Sequence, residues 1–114
     1  MYKIYKEVWE ELTEKDGPFS VKEIEVRGSP MRVYDKAPSN LRDIWQPTKE
    51  FASSEYLVFE DQRWTYDQAH QEVSSVASWL RNQGISKGDR VAIAMRNYPE
   101  WILIYCACID TGIG

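Results

Sequence analysis

A chain of 114 residues, 43% of them hydrophobic and 28% charged, is long enough for one hydrophobic core and short of what two ordinary domains need. Its formal charge of −4 and pI near 5.0 leave no basic footprint for nucleic acid or for an anionic membrane surface. The longest apolar run, Trp101 to Ile109, is nine residues, whereas a membrane-spanning helix needs ~20, so it reads as a buried core helix. The first residues, MYKIYKEVWEELTEKDG, interleave acids and bases without the apolar centre of a secretory leader. A cytoplasmic, reducing compartment is the expectation.

Tyr5, Val8, Trp9 and Leu12 recur at i, i+3, i+4 and i+7, which predicts an amphipathic helix over residues 2–15, stopped by Gly17-Pro18. VKEIEVRGSPMRVY follows, with Ile24 and Val26 alternating against charges before a Gly28-Ser29-Pro30 turn, and Met31 and Val33 beyond it. This reads as a hairpin. Pro38-Ser39-Asn40 opens a second helix with Ser39 or Asn40 as its cap and Leu41, Ile44 and Trp45 as its buried side, limited by Pro47. Tyr56–Phe59 and Arg63–Tyr66, joined by Glu60-Asp61-Gln62, predict a second hairpin.

Thr65 and Gln68 stand in a capping-box relation ahead of Ala69, Val73, Val76, Ala77 and Leu80, which follow helical spacing up to Gly84. After a turn at Ser86–Asp89, Val91–Met95 is apolar without alternation, the pattern of a strand covered on both faces in a parallel sheet. Asn97 as cap, Pro99 and Glu100 then predict a helix from about Pro99 to Asp110, ended by Gly112. A strand followed by such a helix is the first part of a β-α-β crossover, whose second strand is expected after Gly114.

The run from Tyr56 to Gly114 resembles the N-terminal part of the AMP-forming acyl-CoA synthetases, members of the adenylate-forming ligase superfamily that also holds luciferases and peptide-synthetase adenylation domains. The residues that carry the resemblance are VFEDQRWTY, HQEVSSVASWLRNQGI, KGDRVAIAM and RNYPEWILIYCACIDTGIG, in that order. Phe19 to Trp45 resembles the leader of members that handle fatty or related carboxylic acids. The resemblance implies an α/β fold, the start of the large domain of such an enzyme. Residues 1–55 would be a leader, and residues 56–114 the start of the AMP-binding domain, ending before its phosphate loop.

It also implies a parent enzyme that uses ATP, magnesium and coenzyme A. A carboxylate attacks the α-phosphorus of ATP to give an acyl-adenylate, and the thiol of coenzyme A then displaces AMP. The family's Ser/Thr/Gly-rich loop with its lysine, magnesium-binding acid, ribose-binding aspartate and mobile-domain lysine have no counterpart in these residues. The 114 residues alone are therefore expected to be inactive and to bind none of these cofactors. Expected partners are the remainder of the ligase or a second copy through the C-terminal region. The alternative is a free-standing interaction module with the same N-terminal fold.

No residue is assigned a catalytic, cofactor-binding or metal-binding role, and each candidate has a plainer reading. Ser86-Lys87-Gly88-Asp89 has one glycine beside one lysine and cannot supply the successive amides of a phosphate cradle. The terminal Gly-Ile-Gly has no helix after it for a dinucleotide. His70, the only histidine, reads as a surface residue on the polar flank of its helix. Asp89-Arg90 reads as a turn cap with a surface pair. Arg96 and Asn97 sit where an anion could meet a helix start, with Asn97 more simply a cap. Cys106 and Cys108 lie about 200° apart on a helix, which rules out a mutual disulfide and leaves them as core thiols. Trp9, Trp45, Trp64, Trp79 and Trp101 read as packing residues.

Overall fold

The computed structural model describes residues 2–113, which fall into two compact units, Met1–Pro38 and Ser39–Gly114. In the first, α1 (Tyr2–Thr13) is followed by an antiparallel hairpin of β1 (Val21–Val26) and β2 (Ser29–Tyr34), paired from Val21 opposite Tyr34 to Val26 opposite Ser29. The two turn residues, Arg27 and Gly28, both have positive φ, 51° and 82°, as a type I′ turn requires. Lys36 Nζ donates to the carbonyls of Asp16 and Gly17 at 3.3 and 3.2 Å, tying the end of the hairpin to the turn after α1. The apolar stripe of α1 forms as its spacing predicts, yet Tyr5, Val8, Trp9 and Leu12 all remain exposed.

The second unit holds α2 (Arg42–Trp45), a 3-10 turn at Gln46–Phe51, a hairpin of β3 (Glu55–Phe59) and β4 (Gln62–Thr65), and two longer helices, α3 (Tyr66–Asn82) and α4 (Pro99–Thr111). Its core is one cluster. Ala69, Val73, Ala77 and Leu80 of α3 cluster with Leu103, Cys106, Ala107 and Cys108 of α4, and Trp45 and Ile113 belong to the same cluster. Helices with short hairpins make this an α/β chain, the expected class.

Local chemistry accounts for most boundaries. The capping box is present on both sides: Gln68 N–H donates to Thr65 Oγ1 at 3.2 Å, and Thr65 N–H donates to Gln68 Oε1 at 2.9 Å. Gly112, at φ 73°, ends α4, and the Ile113 amide donates back to the Cys108 carbonyl at 3.0 Å, which returns Ile113 to the core. The same closure joins the Ile85 amide to the Leu80 carbonyl after Gly84.

Three expectations need correction. Of the predicted buried side of α2, only Trp45 enters the core, while Leu41 and Ile44 are 52% and 55% exposed. The helix is four residues long and passes at Pro47 into a 3-10 turn, so a 3.6-residue stripe is never sustained. Asn40 does accept from the Asp43 amide through Oδ1, at 3.1 Å. Val91–Met95 is not a strand here: among the described residues none of its backbone groups is hydrogen-bonded, and a ladder exists only with a neighbour. Asn97 does not cap α4. Tyr98 takes the cap position with extended backbone, no side chain caps, and Pro99 starts the helix.

Candidate functional site

His70 is the largest departure from the sequence reading. It is 8% exposed, its ring is stacked on Trp45 with centroids 4.0 Å apart, and its Nε2 lies 2.9 Å from Thr48 Oγ1. The Thr48 hydroxyl donates its one proton to the Trp45 carbonyl at 2.7 Å. It therefore accepts from His70, which places a proton on Nε2. Burial, and then the Lys49 ammonium, push the His70 pKa down, against the weaker pull of the Asp110 and Asp67 carboxylates. A neutral, buried imidazole held at one nitrogen is a fastener between α3 and the turn after α2. It has no nucleophile beside it.

Trp45 also meets Tyr56, whose ring in turn meets Tyr66 at 4.6 Å. The Tyr56 hydroxyl lies 3.9 Å from Cys106 Sγ. Burial raises both pKa values, so the phenol and thiol stay protonated. Cys108, also free and buried, is pushed up by burial alone. Neither cysteine has the depressed pKa that marks a reactive thiol.

At the C-terminal end of α4, Asp110 accepts from Gln46 Nε2 and from Arg42 Nε, the latter at 3.3 Å. A carboxylate at the negative end of a helix dipole needs such partners. Arg42, Lys87 and Asp110 border an open groove of about 460 Å³, with the Lys87 stem lying over Gly112.

The turn Ser86–Asp89 is committed to its own geometry. Asp89 Oδ2 accepts from the Ser86 amide at 2.8 Å and hydroxyl at 3.1 Å, and Arg90 is exposed. Arg96 and Asn97 are both exposed, beside a mostly apolar groove of about 340 Å³. The structure does not bring His70, Asp89, Arg96 and Asn97 together. Among the described residues no three of His, Cys, Asp and Glu converge where an ion could be held.

Sequence reasoning missed the Trp45–Thr48–His70 fastener, although a signal was available. His70 precedes Val73, Ala77 and Leu80 by three, seven and ten residues, which places it on the core stripe of α3.

Comparison with known proteins bears on the second unit. The profile of the family described as AMP-binding enzyme matches residues 44–113. The chain is 35% identical over 71 residues to vanchrobactin synthetase VabF of Vibrio anguillarum, covering 61% of this chain and 2% of that protein. It is 30% identical over 76 residues to the medium-chain fatty-acid–CoA ligase of Escherichia coli, covering 65% and 13%. The solved N-terminal subdomain of NpsA from Klebsiella oxytoca superimposes with a TM-score of 0.62 at 28% identity, over 65% of this chain and 20% of that one. The chain thus spans a small part of each protein it matches. Among the described residues no helix is long and apolar enough to cross a membrane.

Proposed function

The chain belongs to the AMP-binding enzyme family, and from that membership we propose that it is the N-terminal part of an ATP-dependent, AMP-forming acyl-CoA synthetase of the cytoplasm. The parent reaction joins a carboxylate to AMP with release of pyrophosphate, then passes the acyl group to coenzyme A. Its first step depends on positioned positive charge around the phosphates, magnesium included.

One observation carries this reading. The family match runs unbroken through β3, β4, the capped α3, the Ser86–Asp89 turn and the proline-started α4. In the parent, these residues would serve as scaffold. The α3–α4 core would fix where Arg96 emerges ahead of α4, and residues outside this chain would hold the phosphates. We assign the acid to the fatty class, supported by the likeness to the medium-chain ligase and by the leader-like run Phe19–Trp45.

A panel of carboxylates from acetate to palmitate, with aryl acids included, offered to the gene product extended beyond Gly114 tests the assignment through pyrophosphate release. Medium or long aliphatic acids should give the highest kcat/KM. Preference for an aryl or amino acid would overturn the fatty-acid assignment and leave the ligase reading standing. The 114-residue chain alone should release none with any acid.

A further inference from the structure

We infer that the segment from Asn40 to Phe51 is a pH-operated strap: it lies closed on α3 and α4 while His70 is neutral, and detaches as a local unit, pivoting at Ala52, when the ring takes a second proton. This goes beyond the ligase reading and does not depend on it. In sequence the segment leads from Pro38, the end of the first unit, to the hairpin of β3 and β4. At its far end the chain is pinned: the Ala52 and Ser54 carbonyls accept from the Asp67 and Tyr66 amides, at 3.0 Å each. Ahead of that pivot Trp45 is the one buried residue, and it stacks on His70 and meets Tyr56. The polar holds are Thr48 on His70, and Arg42 and Gln46 on Asp110. The backbone bonds of α2, Trp45 to Leu41 and Gln46 to Arg42, are internal to the strap. A helix of four residues has no stability of its own, so these bonds last only while the strap is docked.

Protonation loads this seam in one direction. Nε2 makes the ring's one hydrogen bond among the described residues, so a proton added at Nδ1 puts a charge into the buried stack without an acceptor for it. The charged groups that face the ring divide by body. Lys49, on the strap, repels an imidazolium across the seam, whereas the acids that attract it, Asp110 of α4 and Asp67 of α3, both lie on the side the strap leaves. Tyr56 of β3 and Cys106 of α4, the titratable groups nearest the stack, stay neutral. The Trp45 face attracts a cation, and that force opposes opening, but it is smaller than the loss of hydration of a ring that is 8% exposed. Burial and Lys49 thus act together, and the ring binds its second proton more readily once the strap has left.

Amide exchange of the 114-residue chain at about pH 7.5 and 5.5, corrected for intrinsic rates, tests this. At the higher pH the Trp45 and Gln46 amides should be at least about tenfold less protected than those of Ala77 and Ala107 in the core, because the strap opens without the helices. At the lower pH their protection should fall severalfold, to a limit of about tenfold set by the one pH unit below the ordinary histidine pKa of ~6.5. His70→Gln keeps a donor for Thr48 without titrating, and His70→Phe keeps a ring against Trp45. In both variants strap protection should agree between the two pH values within about twofold, whatever its absolute level. Strap amides as protected as the core, a wild-type change below about twofold, or a pH dependence that survives both substitutions would each overturn the inference.

Discussion

Val73→Ala is the perturbation whose cost follows most directly from the packing. Val73 is 1% exposed, at the centre of the α3 face that meets α4. Removing two buried methyl groups forfeits about 1.6 kcal/mol of transfer free energy at ~0.8 kcal/mol per group. A remaining hole of up to ~50 Å³ adds about 1 kcal/mol if the helices do not close over it. For a unit of this size each kcal/mol lowers Tm by roughly 4–8 °C, so the expected fall is roughly 8–20 °C. Ile44→Ala is the matched control: the α2 spacing reads it as buried, but it is 55% exposed, and it should cost below ~0.5 kcal/mol. Thermal melts by circular dichroism, backed by urea titration with a constant m-value, measure both variants. A Val73→Ala protein within 2 °C of wild type by such ~0.5 °C measurements, or an equal loss for Ile44→Ala, would refute the assigned core.

Thr65→Ala should cost about 1 kcal/mol by opening the capping box, and Thr65→Ser should recover most of it, read from the same melts. The His70 pKa is lowered in the folded chain, so the unfolded chain binds the proton more readily. That contribution to stability is complete above the ordinary histidine pKa of ~6.5 and is lost as pH falls through it. Because His70 is the only histidine, one imidazole resonance should titrate with a midpoint below ~6.5. His70→Phe should flatten the loss of stability between about pH 7 and 5.5, and a midpoint at or above ~6.5 would contradict the burial. Asp110→Ala removes a carboxylate whose side chain is 19% exposed and leaves Arg42 and Gln46 without it, and should cost about 1 kcal/mol, measured by urea titration.

Much of this fold was legible because its signals are local. The α1 stripe, the paired signals at Thr65 and Gln68, and the glycines at 84 and 112 each act within one or two turns of chain. What failed depended on distant residues. Val91–Met95 has the composition of a buried strand, but pairing is supplied by another segment. Leu41 and Ile44 have core spacing, but Pro47 and the 3-10 turn shift the direction in which α2 presents it. His70 lay on the core stripe and was read by its polarity instead, since its partners Trp45 and Thr48 are more than twenty residues away in sequence. The core thiols Cys106 and Cys108 were read correctly. Trp79, taken for a packing residue, is 59% exposed. Nothing within three or four residues of it in sequence reports whether another element covers that side of α3.

The most direct test of the ligase reading is isotope exchange of pyrophosphate into ATP, measured side by side on the 114-residue chain and on the gene product read through the codon for Gly114. The longer product should catalyse exchange that depends on an added carboxylic acid, and the 114-residue chain should catalyse none. Carboxylate-dependent exchange by the 114-residue chain, or a longer product that exchanges with no acid in the panel, would contradict the assignment.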